Sequence, residues 1–171
     1  GYFSLYLCEA ATGKVLKRLT DVNADVEMVG QDDKFVYYTS AEVSPVDNHL
    51  FRVEVKSGKK TRLTQAEGWH KVTMSGDMKY FVDNYSSLKV PRVILLVQND
   101  GKKVKELLKA EDPTKDYNFG EITLGTVKSA DGKFNNYYRL IKPMNFDASR
   151  KYPVIVYVYG GPHSQMVKNT W

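Results

Sequence analysis

The residues best suited to chemistry are Tyr159 and the turn after it, within Tyr152-Pro153-Val154-Ile155-Val156-Tyr157-Val158-Tyr159-Gly160-Gly161-Pro162-His163-Ser164-Gln165. A phenol with a pKa of about 10 stays protonated at neutral pH and can donate a hydrogen bond. The β-branched run after Pro153 is what a strand covered on both faces needs. Two glycines and a proline then end it, because glycine takes positive φ freely and proline cannot continue a hydrogen-bond ladder. Residues 154–159 are therefore expected to form a buried strand that delivers Tyr159 and a glycine turn into an active site.

Other reactive side chains lack partners at a telling spacing. No Gly-x-Ser-x-Gly nucleophile elbow occurs in the chain. His163 has no serine or carboxylate at a recognisable spacing and reads as a loop histidine that shapes the turn. His49 and His70 have no cysteine or third ligand arranged around them, so they are expected to pack or to lie at the surface rather than bind zinc. Asp32-Asp33 and Asp83-Asn84 lack the oxygen-rich spacing of a calcium loop. Glu27, Glu42, Glu54 and Glu67 stand alone and read as solvated strand or loop residues. The single cysteine, Cys8, cannot form an internal disulfide and is expected to be a small buried residue in a strand. The sequence calls for no metal and no cofactor.

The elements that must position these groups come from a repeat of about 45 residues. Leu5-Tyr6-Leu7, Thr12-Gly13-Lys14 and Leu19-Thr20 are echoed by Leu50-Phe51-Arg52, Ser57-Gly58-Lys59 and Leu63-Thr64, and more weakly by Val93-Ile94-Leu95-Leu96-Val97, Asp100-Gly101-Lys102 and Leu107-Leu108. Each copy is a strand, a tight glycine turn and a strand. A second unit lies between them, at Asp32-Asp33-Lys34-Phe35-Val36-Tyr37-Tyr38-Thr39 and again at Gly76-Asp77-Met78-Lys79-Tyr80-Phe81-Val82-Asp83, each preceded by an apolar strand. One period thus holds four strands, the signature of a β-propeller blade. A meander sandwich would also give similar hairpins, but it has no reason to keep two different hairpins in matched order and spacing.

After Leu108 the spacing fails. The charged, proline-containing stretch around Pro113 suits a connector. Residues 1–110 are therefore read as propeller blades, and 111–171 as a connector followed by the first strands of a second domain. In that second part, strands around Ile122 and Tyr138 are joined by Asp131-Gly132 and lead into the apolar run at 154–159, as at the start of an α/β-hydrolase sheet.

Twelve tyrosines, seven phenylalanines and twelve glycines, with no long helix-periodic stretch, favour an all-β body. The net charge of +5 comes from lysines and arginines that recur at Lys14, Lys17 and Arg18, at Lys56, Lys59, Lys60 and Arg62, and at Lys102, Lys103 and Lys105. Such positions on successive similar units describe a solvated rim that blocks edge pairing, rather than a nucleic-acid surface. No apolar run approaches the roughly 20 residues of a membrane span.

Taken with Leu140-Ile141-Lys142-Pro143-Met144-Asn145-Phe146-Asp147, the closing motif resembles the opening of the hydrolase domain in dipeptidyl peptidase IV-like serine peptidases, and the blades resemble that family's propeller. The resemblance implies a mainly β chain: an incomplete β-propeller of two to three four-stranded blades, followed by the first strands of an α/β-hydrolase domain. It implies a parent enzyme that releases N-terminal dipeptides with Pro or Ala second. Its catalytic serine, aspartate and histidine would follow Trp171, so the chain alone is expected to be inactive. By the same resemblance, Tyr159 matches the tyrosine whose hydroxyl helps form the oxyanion hole. A related prolyl oligopeptidase or acylaminoacyl peptidase, or a non-enzymatic propeller-type binding module, are the alternatives. Further expectations are peptide substrates, a homodimeric parent, edge-strand oligomerisation of the isolated chain, and a periplasmic or secreted location.

Overall fold

Two antiparallel meanders of four strands form the body of the protein in a computed structural model that describes residues 1–161 and 164–171. A hairpin of β1 (Tyr6–Cys8) and β2 (Val15–Arg18) precedes them. The first meander runs β3 (Val26–Gln31), β4 (Phe35–Ser40), β5 (His49–Glu54) and β6 (Lys60–Arg62). The second runs β7 (Trp69–Met74), β8 (Tyr80–Ser87), β9 (Val90–Gln98) and β10 (Lys103–Lys109). A separate hairpin follows, β11 (Ile122–Lys128) with β12 (Asn135–Ile141). The described residues contain no helix.

The repeat seen in the sequence is the repeat of the fold, because its turns are built from local hydrogen bonds. In the β1–β2 turn the Gly13 amide donates to the Glu9 carbonyl at 2.8 Å, and in the β5–β6 turn Gly58 donates to Glu54 at 2.7 Å. Thr12 and Ser57 hydroxyls bind the Glu9 and Glu54 carboxylates and accept the Lys14 and Lys59 amides. Gly13 and Gly58 sit at φ of 69° and 78°, and the equivalent Gly101 of β9–β10 at 94°, a region where a side chain would be strained. The turn chemistry therefore repeats wherever the glycine does.

Alternation along β4 builds the core. Val36 and Tyr38 face one side, where they meet Leu19, Val26, Phe51 and Val53, with Leu5 and Leu7 of the first hairpin packed against them. Tyr37 faces the other side and meets Leu50, Leu63, Phe81 and Val97, the last two from the second meander. Successive strand residues point to opposite faces, so β4 is covered on both. That is why Val36 through Ser40 are all buried, and why Tyr38 stacks on Phe51 with ring centroids 5.3 Å apart. Blades packed face against face give this pattern, and the all-β, four-stranded expectation holds.

Two sequence expectations are corrected. Residues 154–159 do not form a strand: Ile155 is 97% exposed and Tyr157 82%. No described strand pairs with the run, and an extended segment without a ladder keeps its backbone groups in water. Cys8 lies in β1 as expected but is exposed: Leu7 packs onto the core of the first meander, and alternation turns its neighbour Cys8 to the opposite face.

Candidate functional site

The loop that leads to Tyr159 is ordered by its own side chains. Phe146 stacks on Tyr152 at 5.3 Å, and the Tyr152 hydroxyl accepts the Asp147 amide at 3.0 Å. Asp147 takes both the amide and the hydroxyl of Ser149, and these bonds hold its carboxyl below the usual range. From there the chain extends through exposed residues to Tyr159, which is half-exposed at 55%.

Beside Tyr159, the glycine at position 161 has a steric reason, whereas a Cβ at Gly160 would meet nothing. The ring folds back so that a Cβ at Gly161 would lie 2.5 Å from the hydroxyl oxygen and 2.6 Å from Cζ of Tyr159. A side chain there could be accommodated only by displacing the phenol. Gly161 thus leaves the space the hydroxyl occupies, and the arrangement presents an accessible O–H donor. Pro162 and His163, which the sequence analysis also singled out, lie outside the described residues.

The remaining candidates are placed away from Tyr159, inside the blades. Asp32 accepts the Lys34 and Phe35 amides at 2.8 and 2.7 Å and the Tyr37 hydroxyl at 2.8 Å. Burial pushes the Tyr37 phenol up to about 12, reinforced by the Asp32 carboxylate. Glu42, expected to be solvated, is a mostly covered carboxylate with 11% side-chain exposure, bound to Lys60 at 3.1 Å. Glu54 pairs with Lys34 at 3.2 Å. These are structural roles.

The histidines form a buried polar pair that single-residue reading missed. His70 Nδ1 lies 2.8 and 2.9 Å from the two oxygens of Asp83, and Nε2 lies 2.8 Å from the Ala66 carbonyl. Both ring nitrogens thus face oxygen atoms, which fixes the ring between β8 and the Ala66 carbonyl. His70 also stacks on Tyr85 at 4.7 Å, and its ring lies 5.1 Å from that of His49 at a 36° tilt. Burial, and the neighbouring His70 and Arg62, press His49 down to about 4. A signal was available: His70 is opposite Tyr85 in the β7–β8 register, which makes Asp83 its diagonal neighbour on the same face. Among the described residues no group of three or more His, Cys, Asp or Glu is arranged to hold a metal ion.

Stacked four-stranded blades define a propeller-type protein, and a separate hairpin and a tyrosine set over Gly161 follow them. Residues 1–92 match the family model of the dipeptidyl peptidase IV (DPP IV) N-terminal region, and the chain belongs to the dipeptidyl peptidase IV family. It is 32% identical to human dipeptidyl peptidase 8 over 147 residues, 80% of this chain and 16% of that protein. It is 28% identical over 180 residues to dipeptidyl peptidase 4 of Arthroderma otae, covering all of this chain and 23% of that one. A solved structure from Bacteroides ovatus, described as a dipeptidyl aminopeptidase IV, superposes with a TM-score of 0.87 at 37% identity, over 100% of this chain and 27% of that one. Porphyromonas gingivalis dipeptidyl peptidase 4 gives 0.89 at 30% identity, over 98% and 24%. The chain thus spans between 16% and 27% of the length of these relatives.

Proposed function

We propose that this chain is part of a serine exopeptidase that releases N-terminal dipeptides with Pro or Ala second, and that Tyr159 donates one hydrogen bond to the oxyanion of its tetrahedral intermediate. The observation that carries the reading is the phenol of Tyr159, exposed and held over Gly161, in a chain of this family. When a serine oxygen attacks a peptide carbonyl, negative charge develops on the carbonyl oxygen. A donor already in place stabilises that charge more than it stabilises the substrate. The nucleophile and its base would be supplied by parts of the protein outside these 171 residues, and the 171 residues alone are expected to be inactive. A periplasmic or secreted enzyme acting as a homodimer is part of the same proposal.

The test is turnover of a glycyl-prolyl chromogenic substrate by the full-length protein. Tyr159→Phe is expected to lower kcat about 100- to 1000-fold with little change in KM, the loss typical of one oxyanion donor. Gly161→Ala, which pushes into the hydroxyl, is expected to reproduce most of that loss. Unchanged kcat in Tyr159→Phe would overturn the assignment. Cleavage of N-blocked peptides in preference to free N-termini would favour the prolyl oligopeptidase or acylaminoacyl peptidase reading instead.

A further inference from the structure

The last residues of the chain follow Tyr159 by only a few positions, form no regular element, and are nonetheless tied to both blades. Asn169 makes three hydrogen bonds to distant segments. Its amide N–H donates to the Val46 carbonyl at 2.7 Å, its Nδ2 donates to Asp47 Oδ1 at 2.9 Å, and its Oδ1 accepts the Leu88 amide at 2.9 Å. Val46 and Asp47 belong to the β4–β5 connection of the first blade, and Leu88 to the β8–β9 turn of the second. One side chain therefore joins two blades to the segment that carries Tyr159.

The surroundings fix the receiving site. Asp47 Oδ1 also accepts the Gly68 amide at 3.0 Å, and the Gly68 carbonyl accepts the Asn48 amide at 3.2 Å. Gly68 has a φ of 133°, and a Cβ there would lie 2.2 Å from the Ser86 carbonyl oxygen, so only glycine fits where the blades meet. On either side of Asn169, Lys168 Nζ sits 4.5 Å from the Trp69 ring centroid, and the Thr170 carbonyl accepts Arg139 of β12 at 3.2 Å. The contact is a preformed socket closed from several elements.

The residue type is also required. A side-chain amide offers a donor and an acceptor together, so it can serve the Asp47 carboxylate and the Leu88 N–H at once. Aspartate, of the same shape, has no donor when ionised and would set two carboxylates against each other. Alanine would leave the Leu88 amide unmet and remove one of the two donors to Asp47 Oδ1.

We propose that Asp47 and Asn169 form a latch through which the blades hold the segment carrying Tyr159 in register, so that Asn169 is a positioning residue for the oxyanion donor. This rests on the role proposed above for Tyr159. Asn169 touches no reacting atom; it lies ten positions beyond Tyr159 in the chain. A small misplacement of a catalytic group costs about 100-fold in rate, so the latch has leverage on kcat while leaving KM near its original value.

Two measurements separate the latch from the enzymatic role. Hydrogen exchange reads the latch directly: the Leu88 amide is expected to be protected in the wild-type protein and to exchange faster in Asn169→Asp and Asn169→Ala, with β4 and β5 amides unchanged as the control for folding. Turnover by the full-length protein reads positioning: Asn169→Asp is expected to lower kcat about 100-fold with KM nearly unchanged. Unchanged Leu88 exchange in Asn169→Asp overturns the latch. Faster exchange with unchanged kcat overturns its positioning role. If the wild-type protein turns over no dipeptidyl substrate, the enzymatic proposal fails while the exchange result still decides the latch.

Discussion

The β7–β8 hairpin and the β11–β12 hairpin share one turn and have opposite fates. Ser75 donates to Asp77 at 2.7 Å and accepts the Tyr80 amide at 3.0 Å; Ser129 donates to Asp131 at 2.6 Å and accepts the Phe134 amide at 3.0 Å. Lys79 and Lys133 amides bind the same aspartates at 3.1 Å. Yet β8 buries Phe81 and Asp83 at 1% and 3% exposure, while β12 leaves Ile141 65% exposed. Local chemistry makes the hairpin in both places. Burial comes only where a meander and a facing blade cover it, as Tyr37, Leu50 and Leu63 cover Phe81.

The largest expected effect tests that division. Phe81→Ala removes a fully buried ring between two blades and is expected to cost about 3–5 kcal/mol. Ile141→Ala removes a mostly solvated side chain and should cost less than about 0.5 kcal/mol. Urea unfolding of the two variants, at constant m, checks both. A comparable loss at Ile141 would mean that β11–β12 is packed as deeply as the blades, and the contrast between the hairpins would fail.

The same division explains what could be read without coordinates. The blade repeat was legible because each turn encodes itself: the positive-φ glycines Gly13, Gly58 and Gly101 and their Ser, Thr or Asp partners lie within a few residues of each other. The family likeness was legible for the same reason, since its motif is contiguous. What could not be read was anything set by a distant partner. The apolar run at 154–159 has the composition of a buried strand, but composition does not supply a neighbour to pair with. The Asn169–Asp47 bond joins residues 122 positions apart and leaves no local trace. His70–Asp83 lies between these cases, recoverable once the β7–β8 register is fixed.

A second contrast concerns protons, since the blades bury titratable groups. His49 is 2% exposed, and its folded value of about 4 lies below its ordinary 6.5 because burial, then His70 and Arg62, disfavour the charged ring, with Asp47 opposing them. The folded state therefore binds fewer protons than the unfolded chain between these values. Stability from His49 is fully present above pH 6.5 and falls as pH drops toward about 4, by up to about 3 kcal/mol. Denaturant titrations across that window should show the slope in the wild-type chain and lose much of it in His49→Gln. A stability that is flat with pH, or that rises on acidification, would contradict the burial of a neutral ring.

The smallest effect is the sharpest comparison, because it removes the same atom from both hairpins. Ser75→Ala and Ser129→Ala each delete a hydroxyl that donates to an aspartate and accepts the amide five residues on, at exposed turns where water can replace part of the loss. Each should cost about 1 kcal/mol locally. In the β7–β8 turn that cost is coupled to a four-stranded sheet and should appear as a shift of the whole unfolding midpoint. In the two-stranded β11–β12 sheet it should appear instead as faster hydrogen exchange along the hairpin, with the global midpoint almost unmoved. Equal midpoint shifts from the two variants would show that both hairpins unfold as one cooperative unit, and that the exposed faces of β11 and β12 are bound to the blades more tightly than their burial implies.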